Sequence, residues 1–117
     1  MPSLSRRQLE PTTLVASWKQ SKEDALDAGA FRFVEMQFRR IKNGTTGGGS
    51  GGRIFLSHSA TNESETFRQL AGTEMATDAA GDSIQFFSLE HFTRFLRLET
   101  DANVAGSPVF ACEIILK

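Results

Sequence analysis

The sequence predicts an all-β fold, an antiparallel β-sandwich or jelly-roll of about seven or eight strands with an extended N-terminal arm. Three observations predict it. Residues 31–42 (FRFVEMQFRRIK) set Val34, Met36 and Phe38 on one face and Glu35, Gln37 and Arg39 on the other. That period of two, with one apolar and one polar face, marks a strand buried on one side. Residues 43–52 (NGTTGGGSGG) then hold six glycines, and residues 53–58 (RIFLSH) resume an alternating pattern, so the three segments read as a β-hairpin. The rest of the chain repeats this grammar of short strands between polar turns.

Residues 1–11 read as an arm bounded by Pro2 and Pro11, with Leu4 and Leu9 as its apolar content. It is either a frayed terminus or an extension that grips a neighbouring subunit. Residues 12–117 make up the single β-sandwich domain. Residues 12–20 (TTLVASWKQ) are β-prone, with Leu14, Ala16 and Trp18 able to share a face. Residues 21–29 (SKEDALDAG) read as a helical turn, with Ser21 and Asp24 as an imperfect capping box and Gly29 as its stop, or as a loop. In residues 31–42, Arg40 continues the inward series at the strand end, where its head is expected to reach water.

The glycine loop 43–52 reads either as a natural hairpin tip or as a fusion scar. A phosphate-binding loop needs a Gly-Lys-Ser/Thr ending and a following helix, and neither is present. Ile54 and Leu56 are expected in the core. A polar turn over 60–65 leads to a short strand over 66–70, and 75–82 is mostly connection. Residues 83–88 (SIQFFS) read as a strand with Ile84 and Phe86 inward and Phe87 outward. Residues 93–100 (TRFLRLET) place Leu96 and Leu98 inward, with Phe95, Arg97 and Glu99 outward. Residues 109–116 (VFACEIIL) close the domain, with Phe110, Cys112, Ile114 and Leu116 on one face.

Composition narrows the function classes. Thirteen basic and fourteen acidic side chains give a net charge of −1, without the basic excess of a nucleic-acid binder. No apolar run is long enough to span a membrane, and no apolar stretch follows Arg6 and Arg7 as a secretory signal peptide requires. The single cysteine, Cys112, has no internal disulfide partner. Of two glycosylation sequons, Asn43-Gly-Thr and Asn62-Glu-Ser, neither is expected to be used without a signal peptide.

No catalytic constellation is visible. A hydrolase needs a nucleophile, a base and a group that orients the base, yet His58 and His91 are the sole imidazoles, and Cys112 falls on a core face. His58 reads as a half-buried structural side chain. No metal-ligand spacing occurs, and Asp78, Asp82 and Asp101 lack a dense calcium-loop pattern. No catalytic residue, cofactor or metal is therefore expected. Arg39, Arg53 and Arg97 suggest a basic strip, but Glu35 and Glu99 interrupt it. Ten Phe beside one Trp and no Tyr favour core filling over sugar stacking. Phe86, Phe87, Phe92 and Phe95 exceed what one core face needs, and exposed apolar side chains on a small domain mark protein contacts.

Two resemblances arise from these stretches. Residues 92–99 (FTRFLRLE) are similar to the aromatic-φ-Arg-φ strand of discoidin-type, galactose-binding-like domains. More widely, FVEMQFRRI, RIFLSHSATNESETFRQL, RFLRLET and the final EIILK resemble small β-sandwich structural proteins of tailed phages. That second resemblance implies a virion component of the capsid-decorating or head-stabilising kind, assembled in the host cytoplasm, with no active site. It implies as partners other copies of the chain and a larger structural protein such as a major capsid protein. The expected contacts are Leu4, Leu9, Phe87 and Phe95, with Arg39 and Arg97 at the rim. The alternative is a discoidin-like module that binds carbohydrate.

Overall fold

A computed structural model describes residues 3–47, 50–79 and 81–117. Along the chain the strands are β1 (Leu4–Thr13), β2 (Leu26–Asp27), β3 (Val34–Lys42), β4 (Thr46–Gly47), β5 (Ser50–Gly51) and β6 (Arg53–Ser59). They continue with β7 (Arg68–Gln69), β8 (Met75–Ala76), β9 (Ile84–Leu89), β10 (Phe95–Thr100) and β11 (Val109–Leu116). A 3₁₀ turn, Ser64–Thr66, precedes β7. One sheet has the order β1-β11-β3-β9; the other has β2-β10-β6-β7, with β8 also paired to β6. All of these pairings are antiparallel. The fold is a β-sandwich, as the alternation predicts.

The core lies between the inner faces. Val34, Met36 and Phe38 of β3 and Phe110, Cys112, Ile114 and Leu116 of β11 come from one sheet. Ile54, Leu56, Leu96 and Leu98 face them from β6 and β10. Each such side chain contributes roughly 1.5–3 kcal/mol by leaving water. Burial also raises the pKa of Cys112 well above its ordinary value, so its thiol is a core group and not a nucleophile.

The residues expected as an arm are, from Leu4 onward, a strand of the sheet. β1 pairs with β11 from Leu4↔Leu116 to Thr13↔Val109, with register shifts between Arg7 and Leu9 and between Leu9 and Thr12. The β-prone residues 14–20 form no regular strand; Lys19 makes one isolated bridge to Glu99. A buried glutamine pair joins the two sheets at this side. Gln8 Nε2 donates to Gln20 Oε1 at 2.9 Å, and Gln20 Oε1 also accepts from Leu98 N–H at 3.0 Å. Residues 21–24 form a turn, not a helix, closed by Ser21 Oγ on Asp24 Oδ2 at 3.0 Å.

Arg40 departs from expectation. Its head does not reach water; the side chain is 7% exposed. Its guanidinium donates to Asn43 Oδ1 at 2.7 Å, Ala76 O at 3.0 Å and Gly81 O at 3.2 Å. A charged donor surrounded by carbonyls is satisfied inside the protein, and it ties the end of β8 and the segments holding Asn43 and Gly81 to the end of β3.

The glycine loop is fitted to its surroundings. A Cβ on Gly52 would lie 2.5 Å from Val104 N and Cα, and one on Gly106 would lie 2.5 Å from Thr45 N. Gly106 also has a φ of 76°, so glycine meets both demands there. These close approaches seat the two ends of the loop against residues 104–106. Residues 48 and 49 of this loop lie outside the described residues.

Candidate protein-contact surface

β9 decides which aromatic side chains meet solvent. Its register on β3 sets Phe87 opposite Met36 and Phe86 opposite Gln37. Opposed residues share a face, so Phe87 turns inward with Met36 and Phe86 turns outward with Gln37. The sequence reading had these two reversed. Phe87 packs against the core, its ring 5.8 Å from that of Phe38 in an edge-to-face contact. Phe86 is 73% exposed and Ile84 is 42% exposed.

The outer face of the four-stranded sheet is thus built in three rows. Ser5, Ile115, Glu35 and Ser88 form one row across β1, β11, β3 and β9. Arg7, Glu113, Gln37 and Phe86 form the second, and Ala111, Arg39 and Ile84 the third. Phe86 and Ile115 wall a shallow hollow over Gln37. Charges of both signs surround it. Glu35 accepts from Lys117 Nζ at 2.8 Å, and Glu113 pairs with Arg7 at 3.1 Å. These are exposed pairs, each worth about 0–1 kcal/mol. Arg39 makes no hydrogen bond or ion pair among the described residues.

The expected contact residues scatter over the fold. Leu4 is exposed at the start of β1, and Arg39 is half-exposed on the outer face just described. Leu9 is 6% exposed and belongs to the core, so in this fold it offers no surface to a partner. Phe87 is corrected as above. Arg97 is not a rim residue; it is 5% exposed. The Phe67 ring covers its guanidinium at 4.0 Å, Glu99 pairs with it at 3.1 Å, and Ser64 O accepts from it at 3.0 Å. Phe67 and the 3₁₀ turn fold over β10 and shield a position whose parity points outward. Because Arg39 and Arg97 lie in different sheets, the basic strip does not form.

A second hollow lies at one end of β10. Arg94 grips Asp27 through two hydrogen bonds of 3.0 and 2.8 Å, and its guanidinium stands 4.9 Å from the Phe95 ring centre. Arg94 holds the Asp27 carboxyl below its ordinary pKa, helped by the Gly29 N–H. With each partner satisfying the other, the pair leaves little unmet valence for a ligand. Trp18, the single indole, is half-buried and packs against the core. His58 is half-buried and accepts from Thr93 N–H through Nδ1 at 3.0 Å, a structural role. Among the described residues no group of three His, Cys, Asp or Glu side chains is placed to hold a metal.

Sequence reasoning missed Phe86, Ile84 and Ile115 as the exposed apolar group. The signal that could have found them was cross-strand register, which a single sequence does not carry when two Phe are adjacent.

No protein-family model matches the sequence, and no curated protein matches it significantly. Among solved structures, the fold is similar to that of the SPBc2 prophage-derived protein YomS, with a TM-score of 0.55 and 13% identity. That alignment covers 99% of this chain and 94% of YomS. A Bacillus endospore appendage protein, from a family of disulfide-linked pili, aligns with a TM-score of 0.48 and 10% identity over 97% of this chain and 86% of its own. What the likeness to YomS shows is a shared fold along the whole chain.

Proposed function

We propose that this chain is a non-enzymatic structural component of a phage particle, held on a capsid or another shell by contacts with copies of itself and with a larger structural protein, the outer face of its four-stranded sheet being one contact surface. The observation that carries the reading is the exposure of Phe86, Ile84 and Ile115 together on that face. Apolar side chains grouped on one surface of a small domain gain by burial against a partner. The fold shared with a prophage-derived protein supports the setting, as does the sequence resemblance to tailed-phage sandwich proteins. In this reading the partners are a larger structural protein and other copies of the chain. Many weak contacts over a symmetric lattice then add up to firm attachment. The place of residence is the virion, after assembly in the host cytoplasm.

A density gradient of lysate from the native source, read by mass spectrometry, tests the reading. The chain is expected to travel with particles of megadalton size. Ile115→Asp places a carboxylate beside Glu35 on the contact face, and is expected to leave a folded protein at the top of the gradient. Wild-type protein found only at the top overturns the shell assignment, and glycan-array binding then becomes the relevant measurement.

A further inference from the structure

From the charge pattern of the outer face we infer that a second copy of this chain docks on it, sheet against sheet, about a twofold axis crossing β3 at Gln37. This names a partner for the face proposed above and rests on that reading for its biological setting. Along β3 the outward series runs Glu35, Gln37, Arg39, one acid and one base at equal distances from a neutral centre. A twofold axis lying between the sheets and perpendicular to β3 reverses the strand in the second copy. Glu35 then faces the second copy's Arg39, and Arg39 faces its Glu35. Arg39, which has no partner among the described residues, acquires a carboxylate.

The neighbouring strands obey the same operation. Ile115 lies beside Glu35 and falls opposite the second copy's Ala111 position, which is 2% exposed, so on β11 only Ile115 adds apolar contact. On β9, Phe86 lies beside Gln37 and meets its own equivalent across the axis, where aromatic side chains gain most from desolvation. Glu113 also faces its equivalent, but each is already neutralised by Arg7 at 3.1 Å. An axis along the strands would instead set Arg39, which has no carboxylate of its own among the described residues, on Arg39, and Glu35, already paired with Lys117, on Glu35. Like charges select against that alternative. The contact is isologous, so it closes at two copies and cannot propagate.

The footprint is small. Three strands at about 4.8 Å spacing and five residues at ~3.3 Å each cover a few hundred Å² per copy, against ~800 Å² in a standard interface. Association in isolation is therefore weak, with dimer expected between roughly 10 µM and 1 mM.

Sedimentation equilibrium of the full chain across that range tests the axis. Wild type is expected to approach twice the monomer mass. Glu35→Arg and Arg39→Glu are each expected to weaken association at least about fivefold. The double variant is expected to recover it to within about threefold, and an equimolar mixture of the two single variants to form a heterodimer. The mixture needs no doubly substituted protein. Glu35→Gln and Arg39→Gln supply milder forms should a reversal impair folding. A wild type that stays monomeric to 1 mM overturns the dimer. A dimer indifferent to both reversals, or a double variant and mixture without recovery, overturns this axis. A chain that is monomeric alone yet travels with particles refutes the twofold and leaves the shell reading standing. A chain that dimerises but stays at the top of the gradient does the reverse.

Discussion

At the scale of single residues, burial has redirected several charged or polar side chains from the solvent roles their types suggest. Arg97 lies between the Phe67 ring and Glu99, and Arg40 is enclosed by backbone carbonyls. In both, hydrogen-bond and ring partners replace the lost water. His58 shows the same replacement with a ring nitrogen as the acceptor. Its partial burial lowers its pKa from the ordinary 6.5, and its Nδ1 acts as an acceptor, a role suited to the neutral ring. As pH falls below 6.5, the unfolded chain takes up this proton before the folded one does. The stability due to neutral His58 is thus complete above the unfolded value and is lost progressively below it. His58→Asn keeps an acceptor for Thr93 N–H and removes the titration. Thermal melts at pH 7 and pH 5 are expected to show a smaller loss for the variant than for wild type. Equal losses would show that His58 contributes nothing to acid sensitivity.

At the scale of elements, legibility in the sequence depended on how a strand obtains its order. β3, β10 and β11 are buried on one face along most of their length, so their period of two is written in residue type. β1 is not so written. Its stretch Ser5-Arg6-Arg7 holds no apolar side chain, its bulges interrupt the period, and backbone pairing to β11 organises it. β9 was legible as a strand but not in its facing, because adjacent Phe86 and Phe87 satisfy either parity. Arg97 was misplaced because its cover comes from residues 64–67, about thirty positions away.

The two edges of the four-stranded sheet also differ. β1 carries Pro11, two register shifts and the charges of Arg6, Arg7 and Glu10, features that discourage further pairing. β9 (IQFFSL) has no charge, proline or bulge, and only Asp82 and Glu90 flank it as gatekeepers. Amides of residues 84–89 that point away from β3 have no ladder partner among the described residues. Hydrogen exchange on isolated protein is expected to show them unprotected while residues 34–39 of β3 are protected. Protection of β9 equal to that of β3 would mean that its edge is covered in solution.

At the scale of the whole molecule, the sandwich measures 42 × 28 × 22 Å and its first and last strands are hydrogen-bonded neighbours. Leu4 pairs with Leu116, so the two described ends emerge side by side from one end of one sheet. Antiparallel partners lie about 5 Å apart between Cα atoms, within the span of a few linking residues. The order in which the strands are written along the chain is therefore separable from the order in which they pair. Residue 117 can be joined to residue 3 by a short Gly/Ser bridge, and the backbone opened between the exposed Glu90 and His91. The rearranged chain begins with β10 and ends with β9, yet keeps every ladder of both sheets. Its far-ultraviolet spectrum and cooperative melt are expected to match those of the parent, with a lower midpoint because β9 becomes a free-ended edge. Loss of the cooperative transition would show that the link between β9 and β10 is required for folding, not merely a connection. A successful permutant places new termini beside β9, where a displayed peptide would project from the edge of the sheet.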